Sequence, residues 1–206
     1  MTRLAATERT ELVHLMKRVG PNAPTLCGRW TTRDLAAHLV ARERRPLSSV
    51  GILVPGLADL AERSRGRYLR MDYDRLLGLL EAPPSWSPSG VPAIDEALNA
   101  SEFFVHHEDV RRARPDWSPR PLERSTEAAL WSRLSMARML IRKANMTVKL
   151  VCPGFGQRTH GRIPIAATVT GRPSEVLLFC FGRQDQADVE VTGAGADRLR
   201  QAELGV

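Results

Sequence analysis

The sequence predicts a mainly α-helical protein, with an up-and-down helical bundle over residues 1–145 and a small α+β domain over residues 146–206. Apolar residues recur at helical spacing through most of the first part, and loops rich in proline and glycine separate these segments. After residue 145 the pattern changes to β-branched runs and short alternating stretches. Because about sixty residues are marginal as an independent domain, we expect the second part to pack on the bundle.

The first two helices have recognisable ends. Apolar residues over 4–19 follow a helical period, and Gly20-Pro21 ends that segment. Thr31 stands three residues before Asp34, which is typical of an N-cap threonine with an acid at the third helical position. The second helix is therefore predicted over about residues 32–45, where a proline follows.

The rest of the predicted bundle alternates helices with loops. Residues 72–81 are predicted as helix, and the proline-rich loop 83–90 precedes a helix over 91–112. A second loop, 114–121, leads into one long helix that reaches residue 141. Between the second helix and residue 70 the pattern is ambiguous.

That ambiguous segment has two local signals. Pro55-Gly56 predicts a turn, and residues 57–67 follow it as a short helical stretch. No longer-range pattern extends these signals over the remainder of residues 47–70.

The last part reads as alternating short elements. Strands are predicted over 146–152, 163–170 and 187–191, from β-branched content and alternation. Helices are predicted over 174–181, after a Gly-Arg-Pro sequence, and over 194–203. This mixture indicates a small α+β domain.

The charge balance suggests an anionic partner, but the arrangement of the charges does not favour nucleic acid. Thirty basic residues against 23 acidic ones give a net charge of +7 and a pI near 10.1. The basic residues are scattered over most segments, and no basic run is interleaved with aromatic residues. We therefore expect nucleic-acid binding to be the weaker interpretation.

The chain has the features expected of a soluble cytoplasmic protein without a membrane partner. The amino terminus has no apolar signal segment, and no apolar run is long enough to span a bilayer. The three cysteines, Cys27, Cys152 and Cys180, form no C-x-x-C pair and are expected to be buried or free thiols.

Glu102 and His106 are the most informative pair in the sequence. They lie four residues apart on a predicted helix, so their side chains share one face. Counting back by fours reaches Leu98 and Ile94, which predicts that this face begins as core. An inward carboxylate is costly unless it is paired or ligates a metal. His38, near the middle of the second helix, is the natural third ligand of an open, zinc-type site.

Ordinary structural roles also explain these residues. A single histidine on an apolar face, such as His38, is more often a hydrogen-bonded core residue than a ligand. Glu102 could pair with one of the many arginines. The spacing by itself leaves the ion pair and the metal site open.

Two motifs carry a family resemblance. W-x-x-x-D-L-A-A-H-L over residues 30–39, followed by E-x-x-x-H-x-x-D over residues 102–109, resembles the metal-binding domain of mycothiol-dependent maleylpyruvate isomerases. That domain belongs to the DinB-like superfamily, so the resemblance implies a four-helix bundle. Residues 169–178 and the Phe181-Gly182-Arg183 that follows are similar to the small C-terminal domain of the same family.

The resemblance implies the ligands of a metal ion. The three ligands of the family fall on His38, Glu102 and His106, and the family metal is usually zinc. Asp34 could orient His38 without ligating the metal itself, although its capping role already explains this aspartate.

Two further residues are implied to act near the metal. Asp109 is the last residue of the second motif, and it would either support a metal ligand or contact the thiol. A salt bridge to Arg112 or Arg142 explains this aspartate equally well. Arg183 matches a glycine-arginine pair that would bind an anionic substrate, although a surface arginine explains it as well.

The chain departs from the family pattern in three places. His107 replaces a small residue and lies about 100° around the helix from His106, so we interpret it as a structural or rim histidine. Residues 46–90 do not align with the family, and His160 has no counterpart there. The identity of the substrate is therefore left open.

The function implied by the resemblance is a zinc-dependent enzyme. It would bind mycothiol or another low-molecular-weight thiol and add it to an electrophilic substrate, for isomerisation or thiol transfer. One alternative is a non-catalytic metal-binding or regulatory module, and another is a basic nucleic-acid-binding protein. The expected partners are the small thiol and the electrophile, and the expected assembly is a monomer or a homodimer.

Overall fold

The computed structural model describes residues 3–44, 65–135, 137–162 and 164–205. It is mainly helical and contains one small four-stranded sheet. Contacts divide the chain into two units, the first reaching Trp117 and the second beginning at Ser118. No described helix combines the length and the apolarity needed to cross a membrane.

Four helices build most of the first unit, and their bounds agree with the sequence-based predictions. They are α1 (Leu4–Val19), α2 (Thr32–Arg44), α3 (Tyr73–Glu81) and α4 (Pro92–Arg111). Residues 65–69 are also helical, and a single 3-10 turn precedes α4. Helix α1 packs against α3 and α4, and α2 packs against α3. The predicted Pro55-Gly56 turn lies outside the described residues.

These four helices share one apolar core. Each contributes leucine, valine or aromatic side chains that are almost fully buried, and each buried leucine contributes about 1.5–3 kcal/mol to folding. The principal members are Leu12, Val13, Met16, Leu35, Leu39, Leu76, Leu77, Leu80, Phe103 and Val110.

The predicted cap of α2 is confirmed. Asp34 Oδ2 accepts hydrogen bonds from the Thr31 backbone N–H at 3.0 Å and from the Thr31 hydroxyl at 2.7 Å. The Asp34 N–H returns a longer bond of 3.4 Å to the Thr31 hydroxyl. Burial raises the pKa of Asp34, but these bonds and the nearby Arg65 outweigh it and lower the pKa below 3.8.

The second unit consists of short helices and one four-stranded sheet. The elements are α5 (Arg124–Arg133), α6 (Ala137–Ile141), β1 (Val148–Cys152), β2 (Gly156–His160), β3 (Ala167–Gly171), α7 (Pro173–Cys180), β4 (Val189–Thr192) and α8 (Ala196–Gln201). The strand order is β2-β1-β3-β4, with β1 antiparallel to β2 and parallel to β3, and β3 antiparallel to β4.

Two predictions for this region differ from the structure. The long helix predicted to residue 141 is divided, because the Leu134 N–H bonds both Leu130 and Trp131 carbonyls and the chain tightens into a turn there. Strand β2 was not predicted, because its sequence Gly-Gln-Arg-Thr-His is polar on both faces. It lies at the sheet edge, where no apolar alternation is needed.

The division between the units also falls earlier than the predicted boundary at residue 145. Helix α5, which the sequence assigns to the bundle, packs against α7. Its Glu127 carboxylate accepts hydrogen bonds from the Ser174 N–H at 2.9 Å and the Ser174 hydroxyl at 2.8 Å, at the start of α7. These bonds tie α5 to the second unit.

A buried arginine on α1 joins the described helices α1 to α4. Arg9 lies 2.6 Å from Glu43 Oε1 on α2 and 2.7 Å from Asp95 Oδ1 on α4. It also donates to the Leu80 carbonyl of α3 at 3.1 Å, and its guanidinium lies 4.2 Å from the Phe103 ring centroid. Because one cation satisfies groups on three other helices, Arg9 sets how these helices face each other.

Replacement of Arg9 by methionine should destabilise the first unit by about 3–5 kcal/mol, since Glu43 and Asp95 would stay buried without their cation. The matched variant is Lys17→Met, which removes an exposed pair with Glu81 and should cost about 0–1 kcal/mol. The free energy of unfolding in urea measures both. Equal losses in the two variants would contradict this role of Arg9.

Candidate metal centre

The inward face of α4 is polar along most of the helix. Five polar residues follow each other at alternating intervals of four and three, which keeps them on one side of an α-helix. Three of them are buried and two are partly buried. They are Asp95, Asn99, Glu102, His106 and Asp109.

This face differs from the one predicted by counting in fours. Leu98 is 57% exposed and Ile94 is 42% exposed, so the prediction that they begin the core stripe is wrong. Four residues turn an α-helix by about 40° more than a full turn, and three such steps rotate the face by about 120°. Asn99 and Asp95 therefore occupy the inward positions instead.

The structure brings together the three residues that the sequence suggested as ligands. His106 Nε2 lies 3.3 Å from Glu102 Oε1, and His38 Nε2 lies 3.9 Å from the same oxygen. The three donor atoms lie within 4.8 Å of one another. On α2, Leu35 and Leu39 are buried in the core on either side of His38, and this packing fixes the position of the ring.

The donor set fits a tetrahedral divalent ion. Bonds of about 2.0–2.1 Å from zinc to nitrogen and oxygen place neighbouring ligand atoms about 3.3–3.4 Å apart. The His106–Glu102 separation of 3.3 Å matches this value, and the His38–Glu102 separation of 3.9 Å is slightly longer. Three protein ligands would leave one coordination position for a further ligand.

A second cluster holds the other ring nitrogen of His106. Nδ1 lies 2.8 Å from Asp109 Oδ2, and the Cys27 thiol donates to the same oxygen at 3.1 Å. The 2.8 Å separation is a hydrogen-bond length and is short for two ligands of one zinc ion. Asp109 therefore accepts the Nδ1 proton, so Nε2 is the nitrogen that faces Glu102 and His38 and that would ligate a metal.

Cationic and aromatic side chains line the same centre. Arg42 Nε lies 3.6 Å from Glu102 Oε1, and its Nη1 donates to Asn99 Oδ1. The Trp30 ring centroid lies 5.1 Å from that of His38. Arg42 thus stands beside the carboxylate, while Trp30 covers one side of the imidazole.

The electrostatics of the pair are strongly coupled. Burial raises the pKa of Glu102, but hydrogen bonds from His106 and His38 and the charge of Arg42 outweigh it and lower the pKa well below 4.5. Burial lowers the pKa of His106, but hydrogen bonds with Asp109, Cys27 and Glu102 outweigh it and raise the pKa well above 6.5. Without a metal the pair is a carboxylate beside an imidazolium.

The other residues named in the sequence-based predictions do not belong to the three candidate ligands. Asp34 Oδ1 pairs with Arg65 at 2.7 Å, besides its capping bonds, so its role is structural. His107 is buried and its Nδ1 lies 2.7 Å from Glu8 Oε2 on α1, which also makes it structural. Arg183 belongs to the second unit, where its guanidinium donates to the Phe181 carbonyl. Arg112 pairs with Glu108 at 2.5 Å.

Two residues at the centre were missed by sequence reasoning. Arg42 follows His38 by four residues on α2, so helical spacing could have placed it on the same face. Cys27 lies in the loop before α2, and no local spacing relates it to Asp109. Of the other cysteines, Cys152 and Cys180 are buried in the second unit, and burial raises the pKa of Cys152 to about 12.

Comparison of the chain with protein-family models, with curated proteins and with solved structures found no match. The resemblance to the mycothiol-dependent isomerases is therefore carried by the motifs of this sequence alone.

In the presence of a chelator, the stability contributed by this pair should be largest between pH 4.5 and 6.5. The Glu102 part is present above its unfolded pKa and is lost as the pH falls through its lowered folded pKa. The His106 part is fully present below its unfolded pKa and is lost as the pH rises through its raised folded pKa. The difference in unfolding free energy between wild type and His106→Gln should therefore shrink on either side of this window.

The control for this experiment is His14→Gln, at an exposed position of α1. Its difference from wild type should change little over the same pH range. A pH-independent effect of His106→Gln would show that the imidazole contributes only packing.

Proposed function

We propose that this chain is a metal-dependent enzyme of the mycothiol-dependent maleylpyruvate isomerase type. In this proposal His38, Glu102 and His106 hold a divalent ion, zinc, and the remaining coordination position receives the sulfur of a low-molecular-weight thiol. The observation that carries it is the approach of both Nε2 atoms to one Glu102 oxygen, at 3.3 and 3.9 Å.

The scaffold supports the proposal as well. Two of the ligands come from α4 and one from α2, and metal sites in helical bundles are built in this way from inward side chains of facing helices. The described part of the first unit contains the helices α1 to α4, and the resemblance implies a DinB-like four-helix bundle. This superfamily assignment is part of the proposal.

Zinc bound at this centre would supply a Lewis acid that keeps a thiol sulfur in its anionic, nucleophilic form at neutral pH. The protein prepares the ligands for this task. Asp109 holds His106 in the tautomer that presents Nε2, and Arg42 keeps Glu102 ionised. The positive charge of Arg42 also favours an anionic sulfur near the carboxylate.

The reaction that we propose is nucleophilic addition of this sulfur to an electrophile. The product is either released as the isomer, with the thiol regenerated, or kept as a thiol conjugate. Arg183 would contact an anionic group of the substrate; this part of the proposal rests on the resemblance alone.

The purified wild-type chain should bind about one zinc ion, and Glu102→Gln should weaken this binding by at least about 100-fold, since the variant removes the only carboxylate among the three ligands. Asp109→Asn should weaken it by about 10–100-fold through the orientation of His106. Glu11→Gln, at an exposed position of α1, is the matched control. Titration against a chromophoric chelator measures all four proteins.

Unchanged zinc affinity in Glu102→Gln would exclude this metal centre.

The zinc-loaded chain should bind mycothiol saturably, and S-methylated mycothiol should not bind, because a thioether cannot become a thiolate. Calorimetry with both compounds measures the difference, and the chelated protein provides the blank. Zinc binding without any binding of mycothiol would favour a non-catalytic metal-binding module on the same ligands. Glutathione in parallel tests whether the centre distinguishes between thiols.

A further inference from the structure

The second unit carries most of the net positive charge of the chain. From Ser118 onward there are thirteen basic and eight acidic residues, against a net charge of +7 for the whole chain. One long segment of the second unit contains no acidic residue. Between Ala128 and Ser174 there are eight arginines and lysines and one histidine, but no aspartate or glutamate.

A cavity of about 510 Å³ opens within this acid-free segment. Pockets that hold small molecules have volumes of about 300–1,000 Å³. We call it the basic cavity, because two arginines and one histidine contribute to its lining and no acidic side chain does. Its lining residues are Ile141, Arg142, Asn145, Met146, Thr147, His160, Gly161 and Arg162.

Strand pairing and one hydroxyl bond position His160 and Arg162 at the cavity. Pairing of β1 with β2 sets His160 opposite Val148, at the end of the ladder. Gly161 follows with φ at +110°, and a Cβ there would lie 2.7 Å from the Thr147 hydroxyl, so glycine permits this close approach. The Thr147 hydroxyl donates to the Arg162 carbonyl, so the residues that follow β2 lie against the start of β1.

The opposite side of the cavity is formed by the turn after α6. Asn145 adopts a left-handed conformation, with φ at 48°, and its N–H bonds the Arg142 carbonyl at 3.1 Å. The Asn145 carbonyl accepts from Arg198 Nη2 at 3.1 Å. These two hydrogen bonds hold the turn that carries Arg142.

We propose that the basic cavity binds a small organic oxyanion, of the phosphate or carboxylate class. Arg142 and Arg162 are exposed, and neither forms an ion pair with an acidic residue in the described part of the chain. Both guanidinium groups line one cavity that has no acidic side chain in its lining, and a bound anion would offset their like charge. Guanidinium groups also match the geometry of phosphate and carboxylate oxygens through paired hydrogen bonds.

Pyrophosphate and citrate are the probes of the two oxyanion classes, measured by calorimetry on the full chain at constant ionic strength. We expect saturable binding of at least one of them, with amide NMR shifts at Asn145, Gly161 and Arg162. The double variant Arg142→Gln/Arg162→Gln should weaken this binding by at least about tenfold. Comparison of the two probes identifies the preferred class.

The matched control is Arg124→Gln/Arg200→Gln, which removes the same charge from two exposed positions of the second unit outside the cavity. It should change the affinity by less than about twofold. Equal weakening in both double variants would indicate general electrostatic attraction and overturn the proposal. Binding of a single-stranded oligonucleotide without binding of either small anion would also overturn it.

Discussion

The inward face of α4 is the constraint on which the first unit depends. A helix that turns Asp95, Asn99, Glu102, His106 and Asp109 towards its neighbours must find a partner for each, because unpaired buried polar groups cost several kcal/mol. Helices α1 and α2 supply some of these partners, and α4 itself and the loop before α2 supply others. Their relative positions are therefore set by hydrogen bonds and ion pairs as well as by apolar packing.

The two ends of this face are satisfied in different ways. At the amino-terminal end, Asp95 contacts the Arg9 guanidinium and the Asn99 amide, both at 2.7 Å, and both acceptor and donors are buried. At the other end, Glu102 and His106 face each other at 3.3 Å and remain partly exposed. The first arrangement is complete without any further group, whereas the second has ligand spacing and access from outside.

The same contrast separates the two units. In the first unit several acidic and basic side chains meet within the core, as Arg9 does with Glu43 and Arg112 does with Glu108. In the second unit a long segment contains basic residues and no acidic ones, and Arg142, Lys143 and Arg162 of this segment are exposed. The high pI of the chain thus originates mainly from the second unit, although the candidate metal centre lies in the first.

The sequence alone determined which residues could be ligands, because helical spacing relates Glu102 to His106 and the Thr31 cap sets the start of the helix that bears His38. It also located the helices of the first unit, whose apolar periods and end signals are local. Only the tertiary structure decided which residues of α4 face inward, since counting by fours accumulates rotation that packing corrects. The roles of Cys27 and Arg42, the edge strand β2 and the placement of α5 likewise depend on contacts between distant segments, which local spacing does not encode.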